Sequence, residues 1–149
     1  MTIEELVKKA ELLPEAETTA IQEYEKNIDT LVAGINEEML NRADINELVG
    51  EKNIEMMKNN HSNHARFVVS ILTAPNAQQL VDTVAWVFRS YMNRGFHANY
   101  WAAQLNSWIS VMKKNLSEES YKEIYPLYDW FIVNIPSFND LVFKNSLDS

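Results

Sequence analysis

The chain has 149 residues, of which 46% are hydrophobic and 23% charged, and it carries 3 glycines and 4 prolines. This composition is that of one ordinary globular domain and excludes a disordered or fibrous chain. Because there is no cysteine, disulfides, thiolate metal sites, iron–sulfur clusters and a cysteine nucleophile are excluded together. A formal net charge of -8 argues against nucleic-acid partners and anionic membranes, which are bound chiefly through clustered Lys and Arg.

The hydropathy pattern predicts a cytoplasmic protein. Residues 1–6 lack the positively charged and apolar regions of a secretory signal. No run of about 18 apolar residues is present to span a bilayer. We therefore expect no membrane partner.

Charge and aromatic residues are unevenly distributed along the chain. Residues 1–60 carry 14 acidic and 6 basic side chains, whereas residues 61–149 carry 7 of each. Tyr24 is the single aromatic residue before position 61, and the other 15 follow it. We interpret residues 1–149 as one helical domain, with an acidic helical arm over 1–60 and an aromatic-rich core over 61–149. The alternative is that the first helices form the outer layer of one bundle.

Helical periodicity dominates, so the predicted fold class is all-α: a single-domain bundle of six or seven helices. An apolar stripe over residues 3–13 ends or kinks at Pro14, and a long second helix is predicted over roughly 15–42. Asp44 is a plausible cap for a short helix that ends at Gly50. Later helices are predicted over residues 53–73, 75–94, 97–116 and 117–135, with a final short helix over 138–147.

Prolines and glycines mark the ends of these later helices. Pro75 suits the first turn of the helix over 75–94, and Gly95 is placed to cap its end. Ser117 is a good cap for the next-to-last helix, in which Pro126 predicts a kink or break. Pro136 should stop that helix.

Two histidines raise the question of a metal or haem. His61 and His64 share a helix face and could chelate a metal, with a third ligand from Glu51, Glu55 or His97. The simpler interpretation is a pair of solvent-facing or capping histidines in the polar stretch over residues 59–64. For haem, His64 or His97 would be the axial ligand, and a haem- or metal-binding protein is therefore an alternative function. Our first expectation is that there is no cofactor.

The aromatic density after residue 80 is the strongest functional signal. The number of Tyr and Trp side chains in this part of the chain is larger than one small core can bury. Some of them should therefore line a cavity or an interface. The competing interpretation is a tyrosine-rich core whose hydroxyls reach the surface. The predicted ligand-binding residues are Trp86, Tyr91, His97, Trp101, Trp108 and Tyr125.

A second candidate surface lies near the N-terminus. The spacing of Ile21, Tyr24, Ile28, Leu31 and Ile35 approximates a heptad seam. This seam would pair with a second chain, giving a structural homodimeric adaptor, or pack onto the chain's own core.

Part of the chain resembles a helical sensor module. The resemblance rests on the run over residues 80–86 with its Trp86, the segment over 93–96, and the amphipathic segments over 105–116 and 121–130. Such modules precede cobalamin-binding or anti-sigma-antagonist signalling domains, and some have a globin-like fold without haem. Cobalamin-capping bundles place a Glu-His pair after the Trp, whereas this chain has Phe96 and His97. The resemblance implies a sensory protein that passes its state to a separate partner.

These observations lead to one prediction of function. We expect a non-enzymatic regulatory or sensory protein that binds a small hydrophobic or aromatic ligand, or a signalling protein partner. The binding surface is expected on the three helices predicted over residues 75–135. Its mechanism would be a shift between two packings of the helix that contains Pro126.

Overall fold

The computed structural model describes the backbone of residues 1–148 and the side chains of residues 1–144. Over that part of the chain the fold is all-α, as predicted, with no strand. Nine α-helices and one short 3₁₀ helix at Glu51–Asn53 follow in this order: α1 (Ile3–Glu11), α2 (Thr18–Lys26), α3 (Ile28–Leu40), α4 (Ile45–Val49), α5 (Ile54–Thr73), α6 (Ala77–Met92), α7 (Tyr100–Asn115), α8 (Glu118–Val133) and α9 (Ile135–Asp148).

The prediction of one long helix over residues 15–42 is wrong, because this segment forms two helices, α2 and α3, that are separated at Asn27. The Asn27 side-chain nitrogen donates a hydrogen bond of 2.8 Å to the carbonyl of Glu23. Asn side chains that bond nearby backbone groups compete with the helical pattern. With this division the described residues contain nine α-helices, which is more than the predicted six or seven.

The capping residues were partly predicted. Ser117 caps α8, since its hydroxyl accepts from the backbone N–H of Ser120 at 3.2 Å. Gly95 follows α6 with a φ of 105°, and Phe96 N–H bonds the carbonyl of Tyr91 as in a Schellman motif. Asp44 does not cap α4 through its side chain. Its carboxylate instead accepts from Arg42 at 2.9 Å.

The prolines differ from expectation at three places. Pro75 lies before the cap of α6 rather than in its first turn, because Asn76 caps the helix by accepting from Gln79 N–H. Pro126 does not break α8, which is continuous through it. Pro136 does not stop α8. That helix ends at Val133, and Pro136 lies in the first turn of α9, where a missing N–H costs little.

The acidic helices pack onto the rest of the chain. α1 packs against α6, α2 against α5 and α8, and α3 against α5 and α7. Leu6, Tyr24, Leu31 and Ile35 have no exposed surface and belong to the same apolar core as the later helices. The inner residues of the heptad-like seam are therefore buried within the chain itself.

Candidate functional site

A pocket of about 270 Å³ lies between α5, α6, α7 and α8. Most of its wall is apolar or aromatic, and none of the side chains that line it is an Asp, Glu, Lys or Arg. The lining residues are Asn60, Asn63, His64, Phe67, Thr83, Val84, Trp86, Val87, Phe88, Tyr91, Trp101, Gln104, Leu105 and Phe131. The pocket thus joins an aromatic surface to a few neutral polar groups.

Helical spacing explains why these residues share one cavity. On α5 the lining residues recur at intervals of three and four from Asn60 to Phe67, so that they form one face of the helix. The lining residues of α6, between Thr83 and Tyr91, follow the same periodicity. On α7 the face consists of Trp101, Gln104 and Leu105.

Aromatic rings hold the deeper wall in place. Phe88 stacks on Trp101 with ring centroids 4.2 Å apart and an angle of 12° between the ring planes. Tyr91 meets the same indole edge-on at 6.2 Å. Trp86 is different, since 56% of it is exposed although it lines the pocket. It therefore lies at the mouth.

A buried network of amides fixes one side of the pocket. The Asn60 side-chain oxygen accepts hydrogen bonds from the Tyr100 hydroxyl at 2.8 Å and from Gln104 Nε2 at 2.9 Å. The Tyr100 hydroxyl also lies 3.2 Å from His61 Nε2. His61 Nδ1 is 2.6 Å from the side-chain oxygen of Asn36, which can only accept. His61 therefore carries its proton on Nδ1.

His64 ends a second chain of hydrogen bonds. Its Nε2 lies 2.8 Å from the Tyr128 hydroxyl, which lies 2.8 Å from the Tyr24 hydroxyl. If Tyr24 donates to Tyr128 and Tyr128 donates to His64, both hydroxyl protons are used. That direction leaves the His64 proton on Nδ1.

Burial keeps these groups neutral. It lowers the pKa of His61 to about 3, and it also lowers the pKa of His64, with His61 adding to the effect. Burial likewise raises the pKa of Tyr100 and of Tyr128 well above the ordinary value. In each case the charged form would lose its hydration.

The structure brings together three of the six residues predicted to bind a ligand: Trp86, Tyr91 and Trp101 line the pocket. Trp108 is fully buried behind His64, with ring centroids 4.8 Å apart, and does not line the pocket. His97 is exposed, and its Nδ1 accepts from the backbone N–H of Asn99 at 2.9 Å before α7. Tyr125 is 38% exposed beside Tyr121, outside the pocket lining.

Sequence reasoning missed the polar residues of the site. Neither Asn60 nor Gln104 is among the residues predicted from the sequence to bind a ligand. His64 was considered only for a metal or haem. Asn60 and His64 are four residues apart, the spacing of one helix face. That signal was available, but nothing in the sequence places Gln104 of α7 opposite that face.

Among the described residues, no group of three or more His, Asp or Glu side chains is arranged to hold a metal. His61 and His64 do share a helix, and each is hydrogen-bonded to its own partners. The interpretation of both as solvent-facing or capping residues is wrong, because His61 is fully buried and His64 is half-buried against Tyr128. Haem ligation by His64 or His97 stays a prediction, which an absorbance spectrum of the purified protein would test.

No helix in the described part of the chain is both long and apolar enough to cross a bilayer.

Comparisons with protein-family models, with curated proteins and with solved structures gave no match. The function is therefore argued from the pocket.

Proposed function

We propose that this protein binds one small aromatic ligand in the pocket between α5 and α8 and serves as a non-enzymatic sensor. The observation that carries the proposal is the pocket itself, a concave apolar cavity with a few polar groups on one side. This combination is typical of small-molecule sites. The aromatic wall offers ring faces for stacking, and the polar groups offer orientation.

The size of the pocket sets the size of the ligand. A dry cavity of about 150 Å³ lined by apolar side chains holds one benzene ring. At about 270 Å³, this pocket has room for a ligand of roughly two fused rings. Trp86 at the mouth would cover its outer face.

The lining supports binding rather than catalysis. Of the residues that line the pocket, His64 and Tyr91 are the ones that titrate. The lowered pKa of His64 disfavours its use as a general acid near neutral pH. The resemblance to sensor modules agrees with a non-enzymatic role in the cytoplasm.

α8 offers a route from the pocket to the surface. Phe131 lines the pocket, and Tyr128, one turn earlier on the same helix, bonds Tyr24 of the outer helix α2. A ligand that favours one position of α8 would therefore change the packing of α2. A signalling protein that binds the outer helices would detect this change.

The test is isothermal titration calorimetry with quinoline, a neutral ligand of two fused rings, on the wild type and two variants. We expect saturable binding of one quinoline per chain. Trp86→Ala should weaken binding about fivefold, because a lost ring contact costs on the order of 1 kcal/mol. Tyr125→Ala is the matched control, since Tyr125 is also an exposed aromatic but lies outside the pocket.

Both variants change exposed side chains, so both should keep the helical circular dichroism of the wild type. Failure of quinoline to bind, or equal weakening by the two variants, would contradict the proposal.

A further inference from the structure

Three of the polar atoms in the pocket wall that have no hydrogen-bond partner among the described residues belong to Asn60, Gln104 and His64. Asn60 uses its side-chain oxygen for Tyr100 and Gln104, which leaves its Nδ2. Gln104 uses Nε2 for Asn60, which leaves its Oε1. His64 uses Nε2 for Tyr128, which leaves Nδ1.

These atoms keep contact with accessible space. The side-chain nitrogen and oxygen atoms that are sealed off without a partner in the described part are the indole nitrogens of Trp101, Trp108 and Trp130, and Oδ1 of Asn139. The three pocket atoms are not among them. Asn60 is 4% exposed and Gln104 is 2% exposed, and because both line the pocket, that small surface is what they present to it.

The free donor and the free acceptor belong to neighbouring groups. Gln104 Nε2 donates to the Asn60 oxygen at 2.9 Å, which joins the two amides by one hydrogen bond. The Tyr100 hydroxyl donates to the same oxygen and so fixes which end of the Asn60 amide remains free. The wall therefore offers an N–H donor and a carbonyl acceptor on two side chains that are bonded to each other.

The pocket provides no charge to balance an ion. None of its lining residues is a carboxylate, an ammonium or a guanidinium group. An ionised ligand would lose its hydration without a partner, which is costly. A neutral ligand does not meet this cost.

We infer that the ligand is a neutral, flat ring system with a cyclic-amide edge, in which an N–H donor and a carbonyl acceptor are adjacent. This inference rests on the proposed function of the pocket. The ligand carbonyl accepts from Asn60 Nδ2, and its ring N–H donates to Gln104 Oε1. The remaining ring surface lies against Trp101 and Trp86. His64 Nδ1 donates to a further acceptor on the ring where one is present.

The test compares two neutral probes and one anionic probe of similar size on the wild-type protein by isothermal titration calorimetry. Carbostyril, a bicyclic lactam, carries the adjacent donor and acceptor, quinoline has a lone acceptor, and naphthoate is an anion of similar size. We expect carbostyril to bind about tenfold or more tightly than quinoline, since unpaired buried polar groups penalise the wrong ligand. Naphthoate should bind most weakly.

Two variants separate the polar contribution from the aromatic one. Gln104→Met keeps the length of the side chain and removes its polar end, so the advantage of carbostyril over quinoline should shrink about tenfold. Trp86→Ala should weaken both probes by the same factor. The comparison of probes on the wild type does not depend on either variant folding.

The outcomes distinguish this inference from the proposed function. Equal binding of carbostyril and quinoline would overturn the cyclic-amide inference and leave an aromatic pocket. Tightest binding of naphthoate would overturn the claim of neutrality. Binding of none of the probes would overturn the proposed function itself.

Discussion

His64 connects the pocket to the buried tyrosines. One ring nitrogen bonds Tyr128, whose hydroxyl bonds Tyr24, and the other has no partner among the described residues. The spacing of His61 and His64 correctly suggests a shared helix face. It does not reveal that the two rings have different partners, because those partners come from α3, α7 and α8. The sequence therefore raises a metal site only as the less favoured interpretation, and the structure shows each histidine in its own hydrogen bonds.

The two histidines predict how stability depends on pH. Burial lowers the pKa of both below the ordinary value of 6.5. Below that pH the unfolded chain binds protons that the folded chain does not, so the free energy of unfolding should fall as the pH is lowered. Each histidine contributes a slope of up to about 1.4 kcal/mol per pH unit. Urea unfolding between pH about 7 and about 5.5, where most carboxylates stay ionised, measures the slope.

His64→Phe is the matched variant for this measurement. It should lower the stability at every pH, because it leaves the Tyr128 hydroxyl without its acceptor. It should also make the slope shallower, since one of the two histidines with a lowered pKa is gone. A wild-type slope of zero over this range would show that the histidines titrate as they do in the unfolded chain.

At the scale of single elements, the presence of a helix was easier to predict than the residues at which it begins and ends. The apolar periodicity of residues 54–73 predicted α5 closely, because that segment is long and its pattern is regular. Asn27 was missed as a break, since its bond to the Glu23 carbonyl depends on a local backbone choice that periodicity does not show. Pro126 was given too much weight, because packing on both sides of α8 keeps the helix continuous.

α8 tolerates Pro126 at a cost in stability, which gives a direct prediction. Proline in a helix interior removes one hydrogen bond and is less favourable than alanine by about 3 kcal/mol. Pro126→Ala should therefore raise the melting temperature and the free energy of unfolding. Differential scanning calorimetry measures both.

Pro136→Ala is the control for this effect. Pro136 lies in the first turn of α9, where its missing N–H is not needed, so its replacement should change the melting temperature little. If Pro126→Ala lowered the melting temperature, contacts of the proline ring would outweigh the missing hydrogen bond.

At the scale of the whole molecule, the uneven distribution of charge and aromatic residues along the chain corresponds to an outer and an inner layer of helices. The acidic helices cover an aromatic-rich interior, and they contribute Tyr24 and Leu31 to the same core. The sequence predicted the all-α class and an aromatic-rich core over residues 61–149. It did not predict the pocket, because a cavity between four helices depends on how they are placed relative to one another. Trp86 and Trp101 were therefore identified as ligand-binding residues together with Trp108, which is buried behind the wall.

The measurement that tests the central claim most directly is a titration of the four tryptophan indole N–H signals by NMR, with carbostyril as the probe. Trp86 and Trp101 line the pocket, whereas Trp130 does not and serves as an internal reference. We expect large, saturable shifts for Trp86 and Trp101 and the smallest shift for Trp130. Four unmoved signals, or a larger shift for Trp130 than for Trp101, would contradict the central claim.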